Sequence, residues 1–371
     1  MAPLAPRFDV TAPAVPLADL GHVHLIAIGG AGMSAVARLL LARGVTVSGS
    51  DAADSPTLEV LRSLGARVHV GHDADHLTGV DTVVVSSAIR DDNLELAAAR
   101  TMGLRVLHRS QALASLMAGS RRVAVAGANG KTTTTSMLVV ALEAAGADPC
   151  FASGGEIAQL GTNAAIGSGD AFVVEADESD GSFLAYRPDV AVVTNVQPDH
   201  LDYYGTAERV EQAYTEFVST VPADGLVVAC WDDPGSRRLA RAVRDRGRDV
   251  VTYGYRAGAD LQVLSTEPDG LGTRSPFVVA GVERILDLAV PGEHNVMDAC
   301  AAYLAAVEGL GAAADAVLVG LAGFAGARRR FEVRGEVGGV TVVDDYAHNA
   351  PKVAAVVSTG ADLVRRAGSG S

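Results

Sequence analysis

Short β-branched runs alternate with helix-patterned stretches along most of this chain, and twice the turn from strand to helix is a glycine loop. The first loop, Gly29-Gly30-Ala31-Gly32-Met33-Ser34-Ala35, follows the apolar run 23–28; the second, Gly127-Ala128-Asn129-Gly130-Lys131-Thr132-Thr133, follows 122–126. An apolar strand on one side of such a turn and helical spacing on the other predict a parallel sheet with helices on both faces. Around the first loop the pattern predicts a helix over 33–42 closed by Gly44, a strand over 45–48, a helix over 57–64 ending at Gly65, and a strand over 83–85. Around the second it predicts a helix over 132–145 and buried strands at 172–174, 190–193 and 226–228. After Phe331 two strands, 332–335 and 340–343, precede a helix from Lys352, and the sequence stops in Ala-Gly-Ser-Gly-Ser.

The fold expected is therefore α/β in three units. A loose Pro- and Ala-rich lead over 1–20 precedes a Rossmann-like parallel-sheet domain over 21–118. A central P-loop ATPase-type α/β domain covers 119–327, and the start of a third α/β domain covers 328–371. That last piece stops almost at once, and so short a remnant seldom buries enough surface to stand alone. The 371 residues agree with two or three domains at roughly 150 residues each.

Charge and cysteine content narrow the function. Acidic residues outnumber basic ones by 44 to 30, for a formal net charge of -14. That balance repels phosphate backbones, so neither a general nucleic-acid binder nor a membrane-surface protein is expected. A small anionic ligand in a local pocket is compatible with it. Cys150, Cys230 and Cys300 are odd in number and far apart, which fits neither a disulfide framework nor a zinc cluster and suits a reducing cytoplasm. The N-terminus lacks the pattern of a signal peptide, and no uncharged apolar run reaches the ~18 residues of a membrane helix. Lysine occurs only at 131 and 352, so 28 of the 30 basic residues are arginine. A lysine kept at 131 in so arginine-biased a chain needs a chemical reason.

The two loops read differently. Glycines in the first let the backbone approach a diphosphate at a helix N-terminus. Asp51 follows about 20 residues on, where a dinucleotide site places its ribose acceptor. On these residues alone an NAD-dependent enzyme is one reading and a plain tight turn the other. The second is a shortened phosphate-binding loop: backbone N–H groups surround the β- and γ-phosphates of ATP or GTP, Lys131 neutralises them, and the Thr132 hydroxyl can ligate Mg²⁺. A hydride-transfer enzyme has no use for a γ-phosphate cradle, whereas a synthetase that activates a carboxylate at the expense of ATP uses both loops.

Beyond the loops, Glu175 ends the run 172–174, the usual place for a metal ligand beside a phosphate loop. The acidic residues that follow, Asp177 to Asp180, read equally as a solvated turn. His200 lies just past another strand end, placed for a second metal, for the transferred phosphoryl group, or for a structural role. Arg328, Arg329 and Arg330 read either as a phosphate clamp across a closing cleft or as a solvated linker.

Taken in order, these stretches resemble one family closely, the Mur ligases of peptidoglycan synthesis. The resemblance rests on Ile28-Gly29-Gly30-Ala31-Gly32-Met33-Ser34, Ser86-Ser87-Ala88-Ile89, Gly130-Lys131-Thr132-Thr133-Thr134-Thr135 and Glu175-Ala176-Asp177-Glu178-Ser179-Asp180-Gly181-Ser182-Phe183. It continues through Thr194-Asn195-Val196-Gln197-Pro198-Asp199-His200-Leu201-Asp202, Gly292-Glu293-His294-Asn295, Arg329-Arg330-Phe331-Glu332 and Asp344-Asp345-Tyr346-Ala347-His348. Ser179 is similar to the members that add L-alanine; those that recycle murein tripeptide carry Tyr there.

The resemblance implies that the first loop holds the UDP diphosphate of UDP-N-acetylmuramate rather than NAD, with Gly29, Gly30, Ala31, Gly32, Met33, Ser34, Asp51, Ser86 and Ser87 around the sugar nucleotide. ATP would phosphorylate the muramoyl carboxylate and the amine of L-alanine would attack the acyl phosphate, with Lys131, Glu175, His200, Arg329 and Arg330 as the catalytic set. It further implies one Mg²⁺ on Thr132 and Glu175 and another on Glu175 and His200. His294 and Asn295 would lie near the adenine, Asp345 near the ribose, and Tyr346 and His348 at the amino-acid site. Departures from the family pattern are Ala128, Asn129, Asp298, and His348-Asn349-Ala350-Pro351, which carries an extra residue. The resemblance also implies a full third domain that closes over ATP, so this chain is expected to carry a truncated start of it; a protein lacking that domain would alternatively be a silent nucleotide and UDP-sugar binder.

Overall fold

The computed structural model describes residues 8–328, 330–347 and 350–368. The first glycine loop leaves the central strand of a five-stranded parallel sheet. Its elements are β1 (Val23–Ile26), α1 (Ala31–Ala42), β2 (Val47–Asp51), α2 (Pro56–Ser63), β3 (Arg67–Val70), β4 (Thr82–Val85), α3 (Leu94–Thr101), β5 (Arg105–His108) and α4 (Arg109–Leu116). The order β3-β2-β1-β4-β5 reverses direction beside β1, and ligands of such sheets gather at the strand carboxyl ends at that switch point. β1 and β4 are buried along their whole length, as parallel strands covered on both faces must be.

The expected strand over 45–48 lies instead at Val47–Asp51, because β1 and β3 pair with Ser48, Gly49 and Ser50 from both sides. The expected helix over 33–42 starts two residues earlier, with extended Gly30 as its N-cap.

One buried carboxylate organises the end of β2. Glu95 is fully buried and accepts hydrogen bonds from Ser50 Oγ at 2.5 Å, His76 Nδ1 at 2.8 Å and His72 Nδ1 at 2.9 Å. Burial alone would raise its pKa; bonds from His24, Ser50, His76 and His72 outweigh that and hold it down to about 2.

The second glycine loop leaves β6 of a larger sheet. Its elements are β6 (Arg121–Ala126), α5 (Lys131–Ala144), β7 (Cys150–Ile157), β8 (Thr162–Ala165), β9 (Ala171–Glu175), β10 (Val190–Val193), α6 (Leu201–Tyr204), α7 (Ala207–Ser219), β11 (Leu226–Cys230), α8 (Pro234–Asp245) and β12 (Val250–Gly254). They continue with β13 (Leu261–Val263), β14 (Glu267–Asp269), β15 (Gly272–Val279), β16 (Val282–Leu288), α9 (Glu293–Leu304) and α10 (Ala314–Ala322). Strands β12-β11-β10-β6-β9-β7 pair in parallel, so the β6, β9 and β10 carboxyl ends lie side by side. β17 (Glu332–Val337) and β18 (Val340–Asp344) form an antiparallel hairpin, and α11 (Ala350–Gly368) follows.

The two large sheets share one apolar core. A single cluster runs from Leu25, Leu39 and Leu40 of the first unit to Phe172, Val193 and Phe217 of the second. Polar contacts cross the same seam: Asn163 Nδ2 donates to the Ala31 carbonyl at 3.1 Å, and Arg43 reaches Cys150 Sγ at 3.8 Å. All three cysteines are buried and free. Among the described residues no helix is long and apolar enough to cross a membrane.

Candidate active site

The second glycine loop turns on Gly130, whose φ of +85° is the left-handed conformation that α5 uses as its N-cap. A side chain there would also meet Asp298 Oδ1 at 2.3 Å, so the position accepts only glycine. Asn129 wires the loop to the end of β10. Its N–H donates to Asn195 Oδ1 at 3.0 Å, its Nδ2 to Gln197 Oε1 at 3.1 Å, and its carbonyl accepts from Thr194 Oγ1 at 2.6 Å. Asn129 therefore fixes the loop by backbone and side chain together.

Lys131 opens α5 and points back over the loop. Its ammonium donates to the Gly127 carbonyl at 2.6 Å and pairs with Glu178 at 2.9 Å. Burial works against the charge on Lys131; Glu178 and Glu175 outweigh it and raise its pKa, so the group stays a cation. Next along the helix, Thr132 Oγ1 donates to Glu175 Oε1 at 3.1 Å and accepts from Arg330 Nη2 at 3.1 Å. Glu175 is the last residue of β9, and its other oxygen accepts the Gly154 N–H at 2.7 Å.

The stretch after Glu175 is not the solvated acidic turn that its composition allows. Glu178 is buried because Lys131 faces it and the Tyr204 hydroxyl donates to its carbonyl. Asp177 pairs with Arg109 at 3.3 Å, and Asp180 accepts from Ser87 of the first unit. His200, in a left-handed conformation at the start of α6, has Nε2 3.8 Å from Glu178 Oε1. Lys131 and His200 thus share Glu178, a residue the spacing did not single out. Its one sequence signal is that it lies three residues beyond Glu175.

The phosphate loop forms one wall of a cleft of about 620 Å³ that also takes in Asn195, Asp233, Tyr255, His294, Asn295, Asp298, Arg330 and Asp345. A volume in that range accommodates a nucleotide-sized ligand. Burial pushes the His294 imidazole below its usual pKa, so its ring is neutral near pH 7. Asn295 donates Nδ2 to the Pro291 carbonyl at 2.6 Å. Asp345 accepts the Phe331 and Ala347 N–H groups at 2.8 and 2.7 Å, which closes the base of the hairpin. The Arg330 guanidinium sits 5.4 Å over the Tyr346 ring. The arginine run divides: Arg328 pairs with Glu156 at 2.8 Å on the surface while Arg330 enters the cleft. Arg329 and His348 lie outside the described residues.

The first loop holds a different kind of site. Gly29 N–H donates to Asp51 Oδ2 at 2.9 Å, so this carboxylate braces the loop from the end of β2. Ala31, Gly32, Met33 and Ser34 form the first turn of α1, with their amides at the carboxyl edge of the sheet. Ser86 and Ser87 follow β4 at the same edge. Ser87 Oγ lies 3.2 Å from His108 Nε2, and Ser110 N–H donates to His108 Nδ1 at 3.2 Å, which leaves the proton on Nε2.

Among the described residues no group of three or more His, Cys, Asp or Glu side chains is arranged to hold a metal. Thr132 and Glu175 nonetheless offer two adjacent hard oxygen donors beside a phosphate loop. That donor set suits Mg²⁺, which takes one or two protein oxygens and completes its shell with phosphate and water.

Comparison with known proteins covers both large units. Residues 22–121 match the model described as Mur ligase family, catalytic domain, and residues 125–306 the model described as Mur ligase middle domain. The chain is 56% identical to a UDP-N-acetylmuramate–L-alanine ligase of Renibacterium salmoninarum over 93% of its own length and 74% of that protein's. It is 59% identical to the protein of that name from Kineococcus radiotolerans, over 92% and 73%. Among solved structures it superposes on a UDP-N-acetylmuramate–alanine ligase of Thermotoga maritima with a TM-score of 0.80 at 30% identity, covering 91% of this chain and 77% of that one.

Proposed function

The chain belongs to the Mur ligase family, and from that premise we propose how its residues divide an ATP-dependent ligation in peptidoglycan precursor synthesis. The reaction joins L-alanine to the carboxylate of UDP-N-acetylmuramate, as the names of curated relatives at 56–59% identity state for them. One observation carries the division of labour: Lys131, Thr132, Glu175 and Arg330 converge at the mouth of the nucleotide cleft, where the β6 and β9 carboxyl ends meet.

In this reading ATP lies in the 620 Å³ cleft with its terminal phosphates in the turn 127–133. A muramoyl carboxylate oxygen attacks the γ-phosphorus, the bond to the β-phosphate oxygen breaks, and ADP leaves. The L-alanine amine then adds to the acyl-phosphate carbon, loses a proton, and expels phosphate to form the amide. Lys131 and Arg330 place positive charge where phosphoryl oxygens develop negative charge. Thr132 and Glu175 would hold Mg²⁺, which supplies charge neutralisation at the transferred phosphoryl group. His200 shares Glu178 with Lys131, and Tyr346 borders the hairpin side where the amino acid enters, with His348 beside it in sequence. Neutral His294 and Asn295 line the adenine end and Asp345 the ribose. The sugar nucleotide lies across the 29–34 loop, Asp51, Ser86 and Ser87. We place the activity in the cytoplasm, where its three free thiols persist.

The test is phosphate release that requires UDP-N-acetylmuramate and L-alanine together. Lys131→Ala is expected to lower kcat by about 100-fold or more, with the sugar nucleotide still bound. Phosphate release at full rate without the sugar nucleotide contradicts the ligase reading. Binding of ATP and UDP-sugar with no turnover restores the silent-binder alternative.

A further inference from the structure

Arg109 spans the gap between the two glycine-loop units, and nothing in the reaction scheme above uses it. It is the first residue of α4, directly after β5, at the carboxyl edge of the first sheet. One side of its guanidinium rests on the first glycine loop: a Cβ on Gly32 would fall 2.0 Å from Nη1. Gly32 is needed for that close approach. On the other side Nη2 lies 3.3 Å from Asp177 Oδ2, two residues past the last strand residue, Glu175. Among the described residues its buried Nε has no hydrogen-bond partner.

The chemistry of the seam needs a cation there. A substrate held by the first loop must present its carboxylate to a phosphate held by the second. On the way it passes Glu175, Asp177, Glu178 and Asp180, four acidic groups within six residues. Lys131 is already paired with Glu178 and Arg330 sits at Thr132 on the nucleotide side. Arg109 is a positive group at the sugar-nucleotide side of the seam, and its planar fork matches a carboxylate.

We propose that Arg109 binds the carboxylate of the sugar-nucleotide acid, exchanging Asp177 for the substrate and holding it in line with the phosphate loop. The inference rests on the ligase reading and deepens it by naming a specificity-determining residue for the acid group. Asp177 is then a positioning residue, which keeps the guanidinium extended across the seam until substrate arrives.

Calorimetry of the full chain tests this with UDP-N-acetylmuramate and with UDP-N-acetylglucosamine, which lacks the lactyl carboxylate. Arg109→Ala is expected to weaken the first by about 30-fold or more, the range for losing one partner of a buried charge pair. It should leave UDP-N-acetylglucosamine and ATP affinity within about twofold, with Arg109→Lys recovering part of the loss. Equal weakening of both sugar nucleotides assigns Arg109 to the diphosphate and overturns the proposal, as does unchanged affinity for both. Thermal melting of the variant separates lost binding from lost folding. A wild-type protein that fails to bind UDP-N-acetylmuramate at all defeats the ligase reading itself, a different outcome from the one that defeats Arg109.

Discussion

Asp298 sits where a carboxylate is costly. It is buried beneath the phosphate loop, accepts a hydrogen bond from Thr134 Oγ1 at 3.1 Å, and has its pKa raised by burial to about 8, against weaker opposing pulls from Thr134 and Arg330. At neutral pH it is therefore largely the protonated acid. In the unfolded chain it titrates at its ordinary 3.8, so the folded state holds the proton more tightly. The stability this proton contributes is complete below about pH 4, declines as pH rises, and is gone above about 8. The slope is at most about 1.4 kcal/mol per pH unit. Asn keeps the shape and the contact with Thr134 without the proton, so Asp298→Asn should gain stability relative to wild type as pH rises from 5 to 9. Urea unfolding at three pH values measures it; a difference that stays constant with pH contradicts the assignment. At this scale the sequence was partly legible. Lys131 stood out because lysine is almost absent from the chain. Arg109 did not, being one arginine among 28, and Glu178 was masked by acidic neighbours that make a buried carboxylate look like a surface turn.

The two glycine loops are alike as elements and differ in what their glycines do. In the first, Gly30 has an ordinary φ of -62°, and Gly32 is needed for room against Arg109. In the second, Gly130 needs both a left-handed φ and room against Asp298. The separate costs can be measured. Gly44, just after α1, has a φ of +76° with open space where a Cβ would go. Gly44→Ala should therefore cost only the left-handed strain, about 1–2 kcal/mol. Gly130→Ala should cost more in denaturant unfolding and should also abolish ATP binding while sparing the sugar nucleotide. Equal losses in the two variants would mean that the contact with Asp298 carries no energy. The strand–turn–helix units were readable because each apolar run ends in glycine. The outer strands were not. β3 alternates polar and apolar residues without a buried face, β8 is Thr-Asn-Ala-Ala, and β14 has only three residues, all exposed. Such segments become strands through the neighbour they pair with, which local patterning does not encode.

At the scale of the molecule, the shared core decides whether the two large units act together. The apolar cluster that includes Leu39 and Leu40 of α1 continues into Phe172 of β9 and Phe217 of α7. Ser87 to Asp180 and Arg109 to Asp177 tie the functional edges of the same two units. Units joined through one core and several polar straps should unfold in one transition, because exposing either strips apolar surface from the other. The chain carries a single tryptophan, Trp231, directly after β11 of the second unit, so its fluorescence reports that unit alone. Saturating the sugar-nucleotide site proposed on the first unit with UDP-N-acetylmuramate, at a hundred times its Kd, adds about 2.7 kcal/mol to whatever unfolds with that site. If the core couples the units, the Trp231 midpoint in urea moves up by that free energy divided by the m-value, although the proposed binding site lies on the other sheet. A Trp231 transition that ignores a ligand shown to bind would mean that the seam is a contact between independent bodies. The carboxylate and the phosphate would then be brought into line by the substrates themselves rather than by a preformed scaffold.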